Sequence, residues 1–407
     1  MARRGTVRTV LALALTLPLA LSACGGGGGS TAGGDDSTLR VLDYHNDEPN
    51  KSVWQKALDD CGTQVGMTVQ RESVPGETLI QKVLQQSSSR TLPDVLMLDN
   101  PDLQQIAASG ALAPLDDFGL TSDGYAAGVT AASTYEGKLY GLQPITNTIA
   151  LFYNEDILAE AGLTPPTTWE ELKATSAALT EGDRYGVAFS AMNSFEGTWQ
   201  FLPFMWSNGG DEKDIATPET AEALQLWVDL VQSGSASRSV VTWGQADVME
   251  QFSAGNAAMM VNGPWNFGAL NENADLNYSV VPLPAPTAGG TVVSPFGGET
   301  WTVPQTGNPD KQKKAAEFVA CLNSDENMVA EAVGTNTVPT KPELTEQAVS
   351  QVPALESFAA QVPDLRARTG ELGAEWPTAA TKIYTAVQNA LVGGMTPTDA
   401  LKQAQDG

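Results

Sequence analysis

Between residues 39 and 98 the apolar positions change rhythm four times. Residues 39–42 are an apolar-rich run of strand length. Across 52–65, Val53, Trp54, Ala57, Leu58 and Cys61 recur at helical spacing. Residues 67–69 return to strand character. Residues 78–88 carry Leu79, Ile80, Val83 and Leu84 on one helical face, and 93–98 form a run long enough for a buried parallel strand. Strands alternating with helices predict right-handed βαβ units and a sheet covered on both faces.

A second set of elements follows. Thr168 and Glu171 have the spacing of a capping box at the start of a helix. Residues 186–190, 257–261 and 277–281 read as strands. Residues 218–232 are amphipathic, with Leu224, Trp227, Val228 and Val231 on one side. Residues 309–322 form a helix with Ala315, Ala316, Phe318 and Val319 apolar. Thr396 is an N-cap and Pro397 the first helical residue of a last helix reaching Gln405. The chain has no internal repeats.

The N-terminus has a different pattern. Arg3, Arg4 and Arg8 precede an almost wholly apolar stretch over residues 10–21, which is too short for a transmembrane helix of ~20 residues. Residues 1–23 therefore read as a secretory signal peptide. The segment Leu21-Ser22-Ala23-Cys24 resembles the bacterial lipobox, in which the cysteine receives a diacylglycerol group and becomes the new N-terminus. Acyl chains on Cys24 would bury ~0.8 kcal/mol per CH2 in a bilayer. The glycine-rich residues 24–36 would then act as a flexible tether. The rival reading is an ordinary secreted protein with a cysteine near the cut.

Charge narrows the partners. Cleavage before Cys24 removes three arginines, leaving 19 basic residues against 48 acidic ones, a net charge of −29. Nucleic-acid binders carry basic patches, so this balance argues against nucleic acid, and against anionic membrane surfaces and acidic substrates. It suits solubility and a neutral or cationic partner. The length fits two domains or one two-lobed unit with ample core. Cys61 and Cys321 remain after Cys24, and in an exported chain they can pair.

Catalytic signatures are missing. The single histidine, His45, cannot build a multi-histidine metal site, and HExxH, CxxC, GxSxG and GxxxxGK[ST] motifs are absent. No metal and no cofactor is expected. A carboxylate pair brought together by the fold stays open, since a glycosidase needs only two acids. His45 alone is read as a structural hydrogen-bonding group.

The chain instead sets aromatic residues in polar, turn-like surroundings: Trp199 within residues 193–199, Trp265 after Asn262-Gly263-Pro264, Trp301 after Gly297-Gly298-Glu299-Thr300, and Trp376 before Pro377. Tyr44 follows the first strand, and Asp99 and Asn100 follow the third. An indole face matches the apolar C–H face of a pyranose, while amides and carboxylates bond its hydroxyls. Trp54 and Trp227 lie on helical apolar faces and are read as core.

Four segments then share one pattern. Leu151-Phe152-Tyr153-Asn154-Glu155-Asp156-Ile157-Leu158, continuing through Gly162 to Leu172, resembles the signature of the extracellular solute-binding proteins of sugar ABC importers, the maltose-binding-protein-like group. Phe252-Ser253-Ala254-Gly255-Asn256 with Asn262-Gly263-Pro264-Trp265 is similar to a second motif. Pro93-Asp94-Val95 with Gly110 to Leu115 is similar to a third, and Gly297-Gly298 with Trp301-Thr302-Val303-Pro304 to a fourth. The resemblance spans nearly all of the mature chain. It implies an α/β, periplasmic-binding-protein-like (type II) fold of two lobes, each a mixed sheet flanked by helices. Residues 37–145 with 298–325 would form lobe 1, and 146–297 with 326–407 lobe 2. Hinge crossings are expected near 144–147, 297–302 and 325.

The same resemblance implies a ligand site between the lobes. Tyr44, His45, Asn46, Asp99, Asn100, Asn147, Asn193, Glu196, Trp199, Trp265, Glu299, Trp301 and Trp376 are its candidate residues. Asn147 stands where maltose binders carry an acid, a departure from the pattern. Trp169 matches a family tryptophan but is read as structural. The implied protein is a monomeric receptor on the outer face of the cytoplasmic membrane, delivering a di- or oligosaccharide to a membrane permease. Three alternatives stay open: a secreted glycan-active enzyme, the same fold carrying a peptide, polyamine or other cation, and a sensor subunit with the same ligand.

Overall fold

The three strands of the first apolar runs are β1 (Thr38–Asp43), β2 (Thr68–Ser73) and β3 (Val95–Asp99). The computed structural model describes residues 36–407 apart from Asp47, Glu371 and the side chain of Glu77, so the expected signal peptide, Cys24 and nearly all of the tether lie outside it. β1 lies between β2 and β3, parallel to both. Helices Asn50–Val65 and Gly76–Ser89 connect them. β2 is twice as long as predicted. It is an edge strand whose side chains alternate between exposed and half-buried, so its apolar signal fades after Val69.

A hairpin of β4 (Thr134–Tyr135) and β5 (Lys138–Leu139) leads to β6 (Gly141–Leu142) and β7 (Ile145–Thr146). The second sheet comprises β8 (Ala150–Asn154), β9 (Tyr185–Ala188), β10 (Ala257–Asn262) and β11 (Tyr278–Val281), in the order β11-β8-β10-β9. β8 is antiparallel to both neighbours and β9 is parallel to β10. The chain then returns as β12 (Glu299–Thr302), antiparallel between β3 and β6, which completes the first sheet as β2-β1-β3-β12-β6. Finally β13 (Val338–Pro339) pairs with β7.

Each sheet has its own core. Trp54, Leu58, Val95, Leu98, Trp301 and Phe318 pack around the first. On one side of the second, Phe189, Phe201 and Phe204 surround Trp227, with ring centroids 4.4, 5.1 and 5.6 Å away. On its other side Phe152, Phe252, Phe267 and Phe358 form a further cluster. The capping box is formed: Glu171 N–H donates to Thr168 Oγ1 at 3.2 Å, and Thr168 N–H to Glu171 Oε2 at 3.2 Å. Cys61 on Asn50–Val65 is disulfide-bonded to Cys321 on Pro309–Leu322, with the Cα atoms 5.7 Å apart.

Three passages of chain lie side by side between the sheets. Such segments have no full ladder, so buried side chains satisfy their backbone groups. Gln143 Nε2 donates to Ile145 O and Gly297 O at 2.9 Å each, Thr146 Oγ1 to Gly297 O at 3.0 Å, and Thr148 Oγ1 to Pro295 O at 2.7 Å. Thr340 N–H donates to Pro144 O at 3.0 Å. Gly298 holds φ +108°, and a Cβ there would stand 2.5 Å from Gln143 Nε2 and Ile145 O. Only glycine fits this crossing.

Candidate functional site

The strands of both sheets end on a cavity of about 660 Å³. From the first sheet come Tyr44 and His45, just past β1, with Asp99 at the end of β3 and Glu299 at the start of β12. Asn147, Gly297 and Gly298 contribute the crossing. From the second sheet's side come Asn193, Phe195, Glu196, Trp199, Gln245 and Trp265. Sites at the carboxyl ends of strands are usual in α/β folds, because that is where the connecting loops converge.

Trp265 owes its position to Asn262-Gly263-Pro264. Asn262 is fully buried at the end of β10; its Nδ2 donates to Gln245 O at 2.9 Å, and its Oδ1 accepts from Gly263 N–H at 3.0 Å. Pro264 opens a short 3-10 turn that folds the indole back over Gly263, where a Cβ would lie 2.0 Å from the ring. Trp265 is half-buried, leaving part of the indole to the cavity.

The first sheet supplies a polar cluster. Tyr44 OH donates to Glu299 Oε1 at 2.5 Å, and His45 Nε2 lies 3.9 Å from Glu299 Oε2. His45 is stacked on Trp54 with centroids 5.1 Å apart. Burial drives His45 down to about 4, with Asp43 pulling it back up and Arg71 adding to the fall, so it is a neutral imidazole at pH 7. Burial drives Glu299 up to about 7, and Asp102, which also lines the cavity, to about 7 with the charge of Asp99 assisting. Among the described residues of the lining, Arg368 is the one lysine or arginine, against four carboxyls: Asp99, Asp102, Glu196 and Glu299.

Nine of the thirteen expected residues therefore meet in one cavity: Tyr44, His45, Asp99, Asn147, Asn193, Glu196, Trp199, Trp265 and Glu299. Four do not line it. Asn46 is half-buried outside it. Asn100 is buried and serves the backbone, donating from Nδ2 to Gly298 O at 2.9 Å. Trp301 shares the Glu299 face of β12, but two residues deeper, against Trp54 at 5.3 Å. Trp376 opens the helix Trp376–Leu391 and is buried in the core on one side of the second sheet. Trp199 lies not in a loop but in a helix, Phe195–Ser207. Trp54 is core, as expected, yet it also backs His45 at the cavity floor.

Arg368 was not legible as a site residue. Its terminal nitrogens donate to both Asp99 oxygens, at 2.9 and 2.6 Å, and its guanidinium lies 4.6 Å over the Trp199 ring.

Two mixed sheets flanked by helices, joined by crossing segments and sharing a polar-aromatic cavity, define a binding protein of the periplasmic type II fold. Residues 56–359 match the model of the bacterial extracellular solute-binding protein family, and the chain belongs to that family. A binding protein of Brucella abortus (strain 2308) is 29% identical over 238 residues, which is 55% of this chain and 57% of that relative. This chain's match thus spans little more than half of the Brucella protein. The maltooligosaccharide ABC transporter solute-binding lipoprotein of Streptococcus pneumoniae (serotype 4) is 25% identical over 354 residues, 82% of this chain and 80% of that one. Among solved structures, the GacH receptor of Streptomyces glaucescens, crystallised unliganded and with acarbose, superposes with a TM-score of 0.80 at 25% identity. That superposition covers 91% of this chain and 97% of the receptor.

Proposed function

We propose that this protein is the substrate-binding lipoprotein of an ABC importer, capturing a di- or oligosaccharide between two lobes and delivering it to the membrane permease. The observation that carries this reading is Trp265: a half-buried indole folded over Gly263 at the edge of a cavity ringed by carboxyls and Asn147. A flat apolar face with planar hydrogen-bonding groups around it suits the C–H face and hydroxyl rim of a neutral sugar. The pneumococcal relative, described as a maltooligosaccharide-binding lipoprotein, supports the same cargo class. In this reading the lobes comprise residues 37–145 with 298–325 and 146–297 with 326–407. Residues 1–23 are cleaved, Cys24 is lipidated, and 24–36 tether a monomer to the outer face of the cytoplasmic membrane. The protein makes and breaks no bond, and ligand favours the closed form through its differential affinity.

A thermal-shift screen against mono-, di- and oligosaccharides, polyols, amino acids and polyamines tests the reading. A bound ligand raises stability by RT ln(1 + [L]/Kd). A rise with a few sugars and no new products on chromatography is expected. A rise with polyamines alone overturns the cargo, and hydrolysis overturns the class. Trp265→Ala is expected to weaken sugar binding at least tenfold while the melting temperature stays within a few degrees, since stacking anchors carry a few kcal/mol. Unchanged affinity in the folded variant removes Trp265 from the site.

A further inference from the structure

Residues 365–368 cross the gap between the sheets with side chains alternating in direction. Leu365 and Ala367 pack with Val129, Ala132 and Phe296. Arg366 and Arg368 turn instead to two tryptophans on the helix Phe195–Ser207, and each guanidinium lies 4.6 Å over its ring. Arg366 takes Trp206 and bonds Asp211 at 3.1 Å and Glu212 at 2.9 and 3.0 Å. Its backbone is tied to Ser294 and Phe296 by hydrogen bonds of 2.9 and 3.1 Å. Arg368 takes Trp199 and reaches on to Asp99, at the end of β3. This ion pair therefore joins a strand of the first sheet to a helix packed on the second.

We propose that Arg368 is a positioning residue: held against Trp199 by the Arg366 anchor, it clamps Asp99 across the cavity and biases the two lobes toward closure. The proposal rests on the cavity being the ligand site. Opening parts Leu365 and Ala367 from Val129 and Ala132 and must also break one of the two arginine attachments. The Glu212 side chain is fully buried and also accepts from Trp206 Nε1 at 2.7 Å, so releasing Arg366 would strand a carboxylate away from water. The Asp99 side chain is 32% exposed and is rewetted easily. The joint therefore yields at Asp99, and Arg368 travels with the second lobe. Apparent affinity for a ligand bound only by the closed form scales with the closed fraction, so the clamp raises it. Arg368 also covers one face of Trp199, whereas Trp265, half-buried, keeps part of its indole toward the cavity.

The test uses the full chain, spin-labelled at Gln85 and Gln225, exposed positions on helices Gly76–Ser89 and Pro218–Gln232. Distance distributions are recorded without sugar and then with maltotriose as probe. Arg368→Met is expected to shift most of the sugar-free population to longer distances and to raise the maltotriose Kd at least tenfold. Arg368→Lys, which keeps the charge but loses the fork, should recover part of both. The double variant Arg366→Met/Glu212→Gln alters no cavity-lining residue and leaves no buried carboxylate bare, since Asp211, the other partner of Arg366, is partly exposed to water; it should shift the distances in the same direction. Unchanged distances in Arg368→Met overturn the clamp, and reduced affinity alongside them would make Arg368 a plain ligand contact. If only Arg368→Met opens the protein, the Arg366 anchor is overturned. If maltotriose binds neither variant nor wild type, the sugar-free distances still decide the clamp, and the failure belongs to the cargo.

Discussion

Replacing both Cys61 and Cys321 with alanine is expected to lower the unfolding free energy by about 4 kcal/mol. The bond links residues 260 apart in sequence, so in the unfolded chain it closes a very long loop. Cross-linking removes more entropy from the unfolded ensemble the longer the loop, with measured contributions of roughly 2–5 kcal/mol. In the folded protein both cysteines are buried between helices Asn50–Val65 and Pro309–Leu322, so alanine leaves the packing nearly intact. Urea unfolding with and without reductant measures the effect. Wild type with reductant should match the double variant, and both should show a steeper denaturant slope, because an uncrosslinked unfolded chain exposes more surface. Identical midpoints in wild type with and without reductant would mean that the bond adds no stability, and two free thiols in unfolded, unreduced protein would mean that it does not form.

Where a helix has one apolar stripe, its period was legible. Leu224, Trp227, Val228 and Val231 marked the helix that runs over Pro218–Gln232, and Thr168 with Glu171 marked the start of Trp169–Leu179. Phe195–Ser207 was hidden for a physical reason. Every residue from Gly197 to Trp206 is buried, so no polar stripe alternates with an apolar one, and Pro203 interrupts the pattern from within. Trp199 and Trp265 therefore looked alike in sequence although one belongs to a helix and the other to a turn. β12 misled in the same way. It is a central strand with all four residues buried, so neither Glu299 at the cavity nor Trp301 beneath Trp54 could be told apart by polarity. Arg368 shows the remaining limit. The alternation Leu365-Arg366-Ala367-Arg368 is an extended pattern, but its partners Asp99 and Trp199 are brought to it only by the tertiary fold.

Glu299→Gln is expected to stabilise the ligand-free protein by roughly 3 kcal/mol at pH 8 and to leave it unchanged near pH 4. Burial raises Glu299 from 4.5 to about 7, so the folded state keeps its proton where the unfolded state has lost it. The folded state binds more protons across that window, and stability therefore falls as pH rises from about 4.5 to 7, after which the deficit stays constant. Glutamine cannot ionise and escapes the deficit, while its carbonyl can still accept the Tyr44 hydroxyl. Asp102, raised to about 7, gives both proteins a slope of the same sign, and His45, lowered to about 4, gives both the opposite slope between 4 and 6.5. The comparison isolates Glu299, and urea midpoints measured from pH 4 to 8 report it; a variant no more stable than wild type at pH 8 would show that the carboxyl is not penalised in the fold. Sugar affinity should move the other way, falling at least tenfold at pH 8, because an ionised carboxylate accepts hydroxyl hydrogen bonds about twice as strong as an amide does. A carboxyl that destabilises the empty cavity and strengthens the filled one makes ligand binding take up part of the folding deficit. That opposition of stability and affinity at one residue is what distinguishes a binding group from a packing group.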